Sequence, residues 1–268
     1  INIAPKSLDT ELSELLRGVA NGKIQLPDFQ RNWTWDDNRI KGILASLSQG
    51  YPMGAIMCLE YGNENIRFKY RTIEGVPAMG VEPDLLILDG QQRLTSMYGV
   101  AYSKNAVRTK TEKGKDVDRF YYFDINKCLD ESEDRLDAII AVPADKKLKT
   151  NFDRDIILDL SKKELEYEHE MFPINIIFDS SAREDWADGY KEYYQYNGYY
   201  RLTRAFHGLS RRSSGDLMNI NGMFEFVRKK ELSEDERTAI NYDVFRSVEV
   251  TEEGQEEATS AADENNAN

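Results

Sequence analysis

Five consecutive residues, Asp89-Gly90-Gln91-Gln92-Arg93, follow the apolar run Leu85-Leu86-Ile87-Leu88 and precede Leu94, Met97, Tyr98 and Ala101 at helical spacing. That order predicts a short buried strand that turns into a helix through one glycine. The first N–H groups of a helix have no intrahelical partner and carry the positive end of its dipole, so such a corner is a natural anion site. Gly90 admits close approach of a phosphate, and Arg93 is placed to fork two hydrogen bonds onto its oxygens. Gln91 and Gln92 are neutral donors and acceptors that can orient a ribose, a base edge or a water. Asp89 has two readings. It caps the helix through the N–H of Gln91 or Gln92, or it holds a hydrated Mg²⁺. Capping is the simpler expectation on local chemistry, and it is compatible with phosphate binding at the same helix end.

Two further groups have chemical potential. Trp33 and Trp35 flank Thr34, and either ring could stack a base or a modified nucleobase, at roughly 1–3 kcal/mol per stack lost. The competing reading, expected for at least one of them, is that the indole plugs the interior. Arg201, Arg204, His207, Arg211 and Arg212 follow the tyrosines Tyr193, Tyr194, Tyr196, Tyr199 and Tyr200. Positive charge interleaved with aromatics suits a nucleic-acid groove, and equally a Tyr-rich helix packed on a sheet with its arginines solvated or paired. The nearest approach to a Walker loop, beginning at Gly18 and ending at Lys23, is one residue short and lacks the final Ser or Thr. His169 and His207 stand apart, outside any His-Asn-His nuclease context, and are expected to be surface or structural. Cys58 and Cys128 are widely separated and expected as reduced thiols, so zinc binding is unsupported.

The elements that must position these residues follow from apolar spacing. Leu12, Leu15, Leu16 and Val19 share a helical face, with Ser7 as N-cap and Gly22 as stop. Lys23 to Phe29 reads as a short apolar turn interrupted by Pro27. Asp36 or Asp37 caps a second helix carrying Ile40, Ile43, Leu44 and Leu47, which ends at Gly50-Tyr51-Pro52. Ala55 to Tyr61 and Arg67 to Thr72 are expected to pair as a hairpin, and Pro77 to Pro83 to form a loop. Lys104 to Arg119 reads as an exposed connection, with strands at Phe120 to Ile125 and Phe172 to Phe178. Beyond Ser181, the residues Trp186, Tyr190, Tyr193 and Tyr194 suit a helix face, and another helix is expected around Met223 to Lys230. The expected organisation is therefore an α+β domain over 1–180, a mainly helical extension over 181–248 and a disordered acidic tail over 249–268.

Of the 268 residues, 40% are hydrophobic and 31% charged, enough for a sizeable core. No run approaches the roughly 20 apolar residues of a membrane helix, and no signal-peptide order opens the chain, so a cytoplasmic protein is expected. Because it begins at Ile1 rather than Met, it is expected to be either a fragment of a longer protein or a trimmed chain. The net charge of −13 argues against indiscriminate nucleic-acid binding. Seven of the 48 acids fall after Arg246, where no Lys or Arg remains, while Lys146, Lys147 and Lys149 and the arginines of 201–212 gather as basic patches.

Three segments carry a resemblance: Leu26-Pro27-Asp28-Phe29-Gln30-Arg31-Asn32-Trp33-Thr34-Trp35, Tyr51-Pro52-Met53-Gly54, and Leu88-Asp89-Gly90-Gln91-Gln92-Arg93-Leu94-Thr95. In this order they resemble the N-terminal domain of GmrSD-type restriction endonucleases, most strongly over residues 7–103 and not in the tail. The resemblance implies a ParB/sulfiredoxin-like fold, a mixed sheet with packed helices, in a prokaryotic or phage-related defence protein. It implies that the Asp-Gly-Gln-Gln-Arg box binds and hydrolyses a nucleoside triphosphate with Mg²⁺, coupled to restriction of modified double-stranded DNA. By position, Asp89, Gln91, Gln92 and Arg93 are the expected catalytic residues. Gly90 and Arg93 are expected to bind the nucleotide, with Gln30 and Arg31 as the second contribution. Trp33, Trp35, Arg201, Arg204, Arg211 and Arg212 are the candidate DNA contacts. Gln91 stands where the ParB pattern has Glu and the sulfiredoxin pattern has Cys. Sulfiredoxin-type thiol chemistry is thereby excluded at this position, and the ParB-style carboxylate is missing. The cutting domain is expected outside this chain, and no membrane partner is expected. The alternative is a sensor that holds nucleotide or modified DNA without hydrolysis.

Overall fold

The computed structural model describes residues 10–62, 68–130, 132–150, 154–197, 199–202 and 225–228. The first helix, α1 (Leu12–Ala20), buries Leu12, Leu16 and Val19 and stops where Gly22 takes a left-handed φ of 74°. Its N-cap position is Glu11, with no side-chain cap; the expected cap, Ser7, lies outside the described residues. Next comes β1 (Ile24–Pro27), all four residues buried. Lys23 to Phe29 is therefore not an apolar turn but largely an interior strand. Four residues buried on both faces show no alternation for a sequence reading to find. The buried Gln25 secures this strand, its amide donating to the carbonyls of Gly22 (2.9 Å) and Val81 (2.8 Å).

Helix α2 (Asp37–Ser48) is capped as expected, with the Asp36 carboxylate accepting from the N–H of Arg39 at 3.0 Å. Ile40, Ile43, Leu44 and Leu47 all turn inward. Strands β2 (Met57–Glu60), β3 (Tyr70–Arg71) and β4 (Leu85–Asp89) complete a four-stranded sheet in the order β2-β4-β1-β3. The hairpin expected from Ala55–Tyr61 and Arg67–Thr72 does not form. β2 pairs antiparallel with β4, β3 pairs antiparallel with β1, and the parallel β1–β4 pair lies between them. The apolar centre of the sheet, Leu26 and Leu86 with Ile87, competes more effectively for β2 and β3 than either edge strand does for the other. At the end of β4 the chain turns through Gly90 into α3 (Gln91–Met97), which widens into a π turn over Tyr98–Tyr102. Leu94, Met97, Tyr98 and Ala101 are buried against the helices and the sheet.

The second sheet is built on the nine-residue β6 (Asp116–Asp124). It pairs with β5 (Val107–Lys110), β7 (Ile139–Pro143) and β10 (Met171–Pro173), all antiparallel. Lys104 to Arg119 is thus mostly a β5–β6 hairpin rather than an exposed connection, its alternating exposure (Val107 and Thr109 in, Arg108 and Lys110 out) obscured by the surrounding charge. The strand expected at Phe172 to Phe178 is short, passing at Ile174–Ile176 into a 3₁₀ turn. Tyr121 donates to Asp37 at 2.5 Å, and Arg119 pairs with the same carboxylate at 3.5 Å, joining the second sheet to α2.

The short helices α4 (Ile125–Leu129) and α5 (Lys163–Glu168) flank this sheet, with β8 (Lys147–Thr150) and β9 (Asp155–Asp159) as a separate hairpin. The expected basic patch at Lys146, Lys147 and Lys149 is neutralised. These lysines pair with Glu166 (3.3 Å), Asp159 (2.9 Å) and Asp145 (2.6 Å). Helix α6 (Ser180–Asn197) buries Trp186 and Tyr190, stacked at 5.1 Å between ring centroids, against Tyr167 and Phe172 of the main core.

The helix expected around Met223 to Lys230 is instead strand backbone over β12 (Glu225–Arg228), paired with β11 (Tyr199–Leu202). The rest of the expected helical extension and the acidic tail lie outside the described residues. The architecture is mixed α+β. Among the described residues no helix is long and apolar enough to cross a membrane.

Candidate functional site

The sequence-predicted corner forms where β4 ends. Gly90 takes φ 92°, a left-handed conformation that disfavours any side chain. A Cβ there would also come 3.2 Å from Ile56 and 3.3 Å from the Arg93 guanidinium. The corner opens into a cavity of about 310 Å³. Asp89 to Arg93 form one wall with Leu88, and Gln30, Arg31 and Trp35 form the other. The two segments expected to contribute, 30–31 and 89–93, are thus brought together although about 60 residues separate them in sequence.

Within that wall the side chains are more committed than the sequence implies. Gly90, not Asp89, is the N-cap of α3, and no side chain caps the helix. The capping role expected of Asp89 is corrected. Its carboxylate turns to Arg93, one helical turn on, at 3.1 Å. Arg93 also donates to the carbonyls of Met53 (3.1 Å) and Ala55 (2.9 Å). Three of its five N–H donors therefore bind protein, drawing the 53–55 loop onto α3. Gly54 is required at the centre of that loop, since a Cβ there would overlap the guanidinium. This accounts physically for the Tyr51-Pro52-Met53-Gly54 segment, whose partner no sequence feature discloses.

Gln91 and Gln92 are buried and face the opposite wall. Gln91 donates to the Arg31 carbonyl at 2.6 Å. Gln92 accepts from the Thr34 N–H at 2.9 Å and donates to the Asn32 carbonyl at 3.2 Å, as a neighbouring strand would. Gln30 reaches back to the Leu88 carbonyl at 2.9 Å. Arg71 and Glu74, which sequence reasoning missed, add to the clasp. Arg71 donates to the carbonyls of Gln30 (3.1 Å) and Arg31 (3.3 Å), and Glu74 accepts from the Trp33 N–H at 2.9 Å. The 30–35 segment lacks regular secondary structure over most of its length, and these side chains satisfy its backbone instead.

The two tryptophans part company. Trp33 donates its indole N–H to the Ser96 hydroxyl at 3.0 Å and rests on the core, the interior role expected for at least one of them. Trp35 also rests on the core but lines the cavity, its carbonyl held by the Thr109 hydroxyl at 2.7 Å. Arg31 is exposed and its guanidinium has no hydrogen bond or ion pair among the described residues. It is the cavity cation left available for a ligand.

His169 is exposed, at the C-terminal end of α5, and is not among the residues lining the cavity. Burial pushes the Cys128 thiol up to about 12 and also raises Cys58, as expected of packing thiols rather than nucleophiles. Arg201 falls on strand backbone; its side chain, and Arg204, His207, Arg211 and Arg212, lie outside the described residues.

No group of three His, Cys, Asp or Glu side chains able to hold a metal ion occurs among the described residues. Asp89 contributes one carboxylate that already faces a cation, which is a poor fit to a resident divalent ion.

Comparison with known proteins gives the family. An uncharacterised protein of Methanocaldococcus jannaschii is 29% identical over 182 residues, covering 65% of this chain. The matched stretch spans 30% of that relative's length. The GmrSD restriction endonuclease N-terminal domain matches residues 12–260, nearly the whole sequence, and the chain belongs to that family.

Proposed function

We propose that this chain is the nucleoside-triphosphate-binding and hydrolysing module of a restriction protein directed at modified DNA. The observation that carries the reading is the cavity where the Asp89–Arg93 box meets Gln30 and Arg31. Its volume of about 310 Å³ is at the small end for ligand pockets, which fits a mononucleotide and not a length of duplex. Arg31 supplies positive charge for phosphate oxygens and stabilises the charge that develops as the terminal phosphoryl group leaves. Arg93 contributes a nearby positive field while fixing the wall, and Gly90 lets the ligand approach the backbone. Mg²⁺ enters as counter-ion of the triphosphate, and the protein's own part is to bind, orient and desolvate the phosphates. The cutting domain belongs to a part of the system outside this chain, and modified duplex DNA is the partner whose restriction the module licenses.

A second reading is favoured by one observation: the amides of Gln91 and Gln92 are committed to the 31–34 backbone rather than to a water. On that reading the same cavity senses nucleotide without turning it over.

The experiment is phosphate release from each of the four NTPs with Mg²⁺, with and without modified duplex, alongside equilibrium binding. Hydrolysis that Arg31→Ala reduces at least ten-fold supports the first reading. Binding with turnover no higher than a boiled control selects the second. No binding of any NTP refutes both.

A further inference from the structure

We infer that Trp35 is the platform for the base of the bound nucleotide, so that the cavity recognises a nucleoside moiety and not phosphate alone. The inference rests on the nucleotide reading above and extends it. The starting observation is the difference between the two tryptophans. Trp33 has its indole N–H satisfied by Ser96, whereas Trp35 lines the cavity, with one side resting on the core. Its backbone is immobilised on both sides. Gln92 holds the N–H of the preceding Thr34, and Thr109 holds the Trp35 carbonyl. With its backbone held and its side chain half-buried against the core, Trp35 has less freedom to lose when a base lies on it, which favours a stacking surface.

The charges are arranged to match. Arg31, four residues earlier on the same wall, has the unspent guanidinium, while Arg93 across the cavity is occupied by Met53, Ala55 and Asp89. One wall therefore offers an aromatic residue and a cation within a few residues of each other. The opposite wall offers committed side chains and the bare backbone of Gly90. A ligand with a planar ring at one end and anionic oxygens at the other satisfies both features, and a bare phosphate satisfies one. Sequence-tolerant stacking also implies that different bases bind with affinities within about ten-fold of each other, because every base has a π face.

The test is calorimetric titration of the full chain with NTPs and with inorganic triphosphate as the phosphate-only probe. Trp35→Leu is expected to weaken NTP binding by about ten-fold or more and to leave inorganic triphosphate binding within two-fold. Trp35→Phe is expected to restore most of the loss, and Arg31→Gln to weaken both ligands. Trp35→Leu weakening both ligands equally, or neither, while the wild type binds NTP, overturns the inference and leaves the nucleotide reading standing. No NTP binding by wild type overturns both.

Should Trp35→Leu not fold, the wild type still decides. The Trp35 indole N–H resonance, assigned from the Phe variant, must shift with NTP and much less with inorganic triphosphate. Equal shifts with the two ligands refute the platform.

Discussion

Arg93 is the residue for which structure and motif predict different consequences. As a phosphate ligand its loss would abolish nucleotide binding with little effect on stability. As a clamp its loss must destabilise the fold. Arg93→Ala removes charged donors from the Met53 and Ala55 carbonyls, bonds of 3.1 and 2.9 Å. Hydrogen bonds to a charged group contribute about 1.5–3 kcal/mol each. The ion pair to Asp89, whose side chain is 73% exposed, adds at most about 1 kcal/mol. Arg93 itself retains 26% exposure, and a released 53–55 loop can hydrate its carbonyls, so the lower part of the sum applies. The expected loss is about 3–4 kcal/mol. Arg93→Lys should recover no more than one of the three bonds, because an ammonium lacks the planar fork. Urea denaturation followed by far-UV circular dichroism, with the m-value held constant, measures this directly. A variant that unfolds within about 0.5 kcal/mol of wild type yet binds no nucleotide would show that Arg93 is a ligand contact and that the clamp argument is wrong.

Other perturbations test the same accounting. Gln92→Glu sets a carboxylate oxygen against the Asn32 carbonyl in place of an amide donor, while the Thr34 N–H keeps an acceptor. A loss of about 1–3 kcal/mol is expected, with faster amide exchange confined to 31–35, and unchanged exchange there refutes it. Burial holds the Glu166 carboxyl above its ordinary range despite donors from Tyr122, Lys146 and Trp186. A carboxyl raised in the folded state contributes stability that is complete below its unfolded pKa of about 4.3 and is lost as pH rises through the folded value. Glu166→Gln should remove that part of the pH slope, while costing about 1–3 kcal/mol because its NH₂ must face a donor. Asp179 has the opposite sign. Hydrogen bonds from Lys104 and from the Ala182 N–H depress its carboxyl, so its contribution is present above the unfolded pKa and lost as pH falls through the folded one. Asp179→Ala should cost about 1 kcal/mol at pH 7 and much less at pH 2, as urea midpoints at the two pH values will register.

How much was legible in the sequence depended on the range of the interactions. Asp36 before Ile40, Ile43, Leu44 and Leu47 announced α2, because a cap and a 3.6-residue period are local signals. Leu85 to Asp89 leading through Gly90 into α3 was equally visible, whereas Gln30 and Arg31 of the other wall were named only through the family resemblance. The β2 and β3 strands were seen but their pairing was not. Hydrogen-bonding edges are alike in every strand, and only the position of the buried β1 and β4 selected their partners.

The sequence by itself determined one wall of the site: a glycine where φ must be positive and a box of polar side chains after a buried strand. Tertiary structure alone decided what each does. Arg93, Gln91, Gln92 and Gln30 are engaged by backbone carbonyls of Met53, Ala55, Arg31, Asn32 and Leu88. Arg31 and Trp35 line the cavity without a side-chain hydrogen bond to those carbonyls. The physical reason is that every residue carries the same carbonyl. An acceptor contributed by the main chain leaves no trace in residue type, and it becomes apparent only when folding brings segments tens of residues apart within hydrogen-bonding distance.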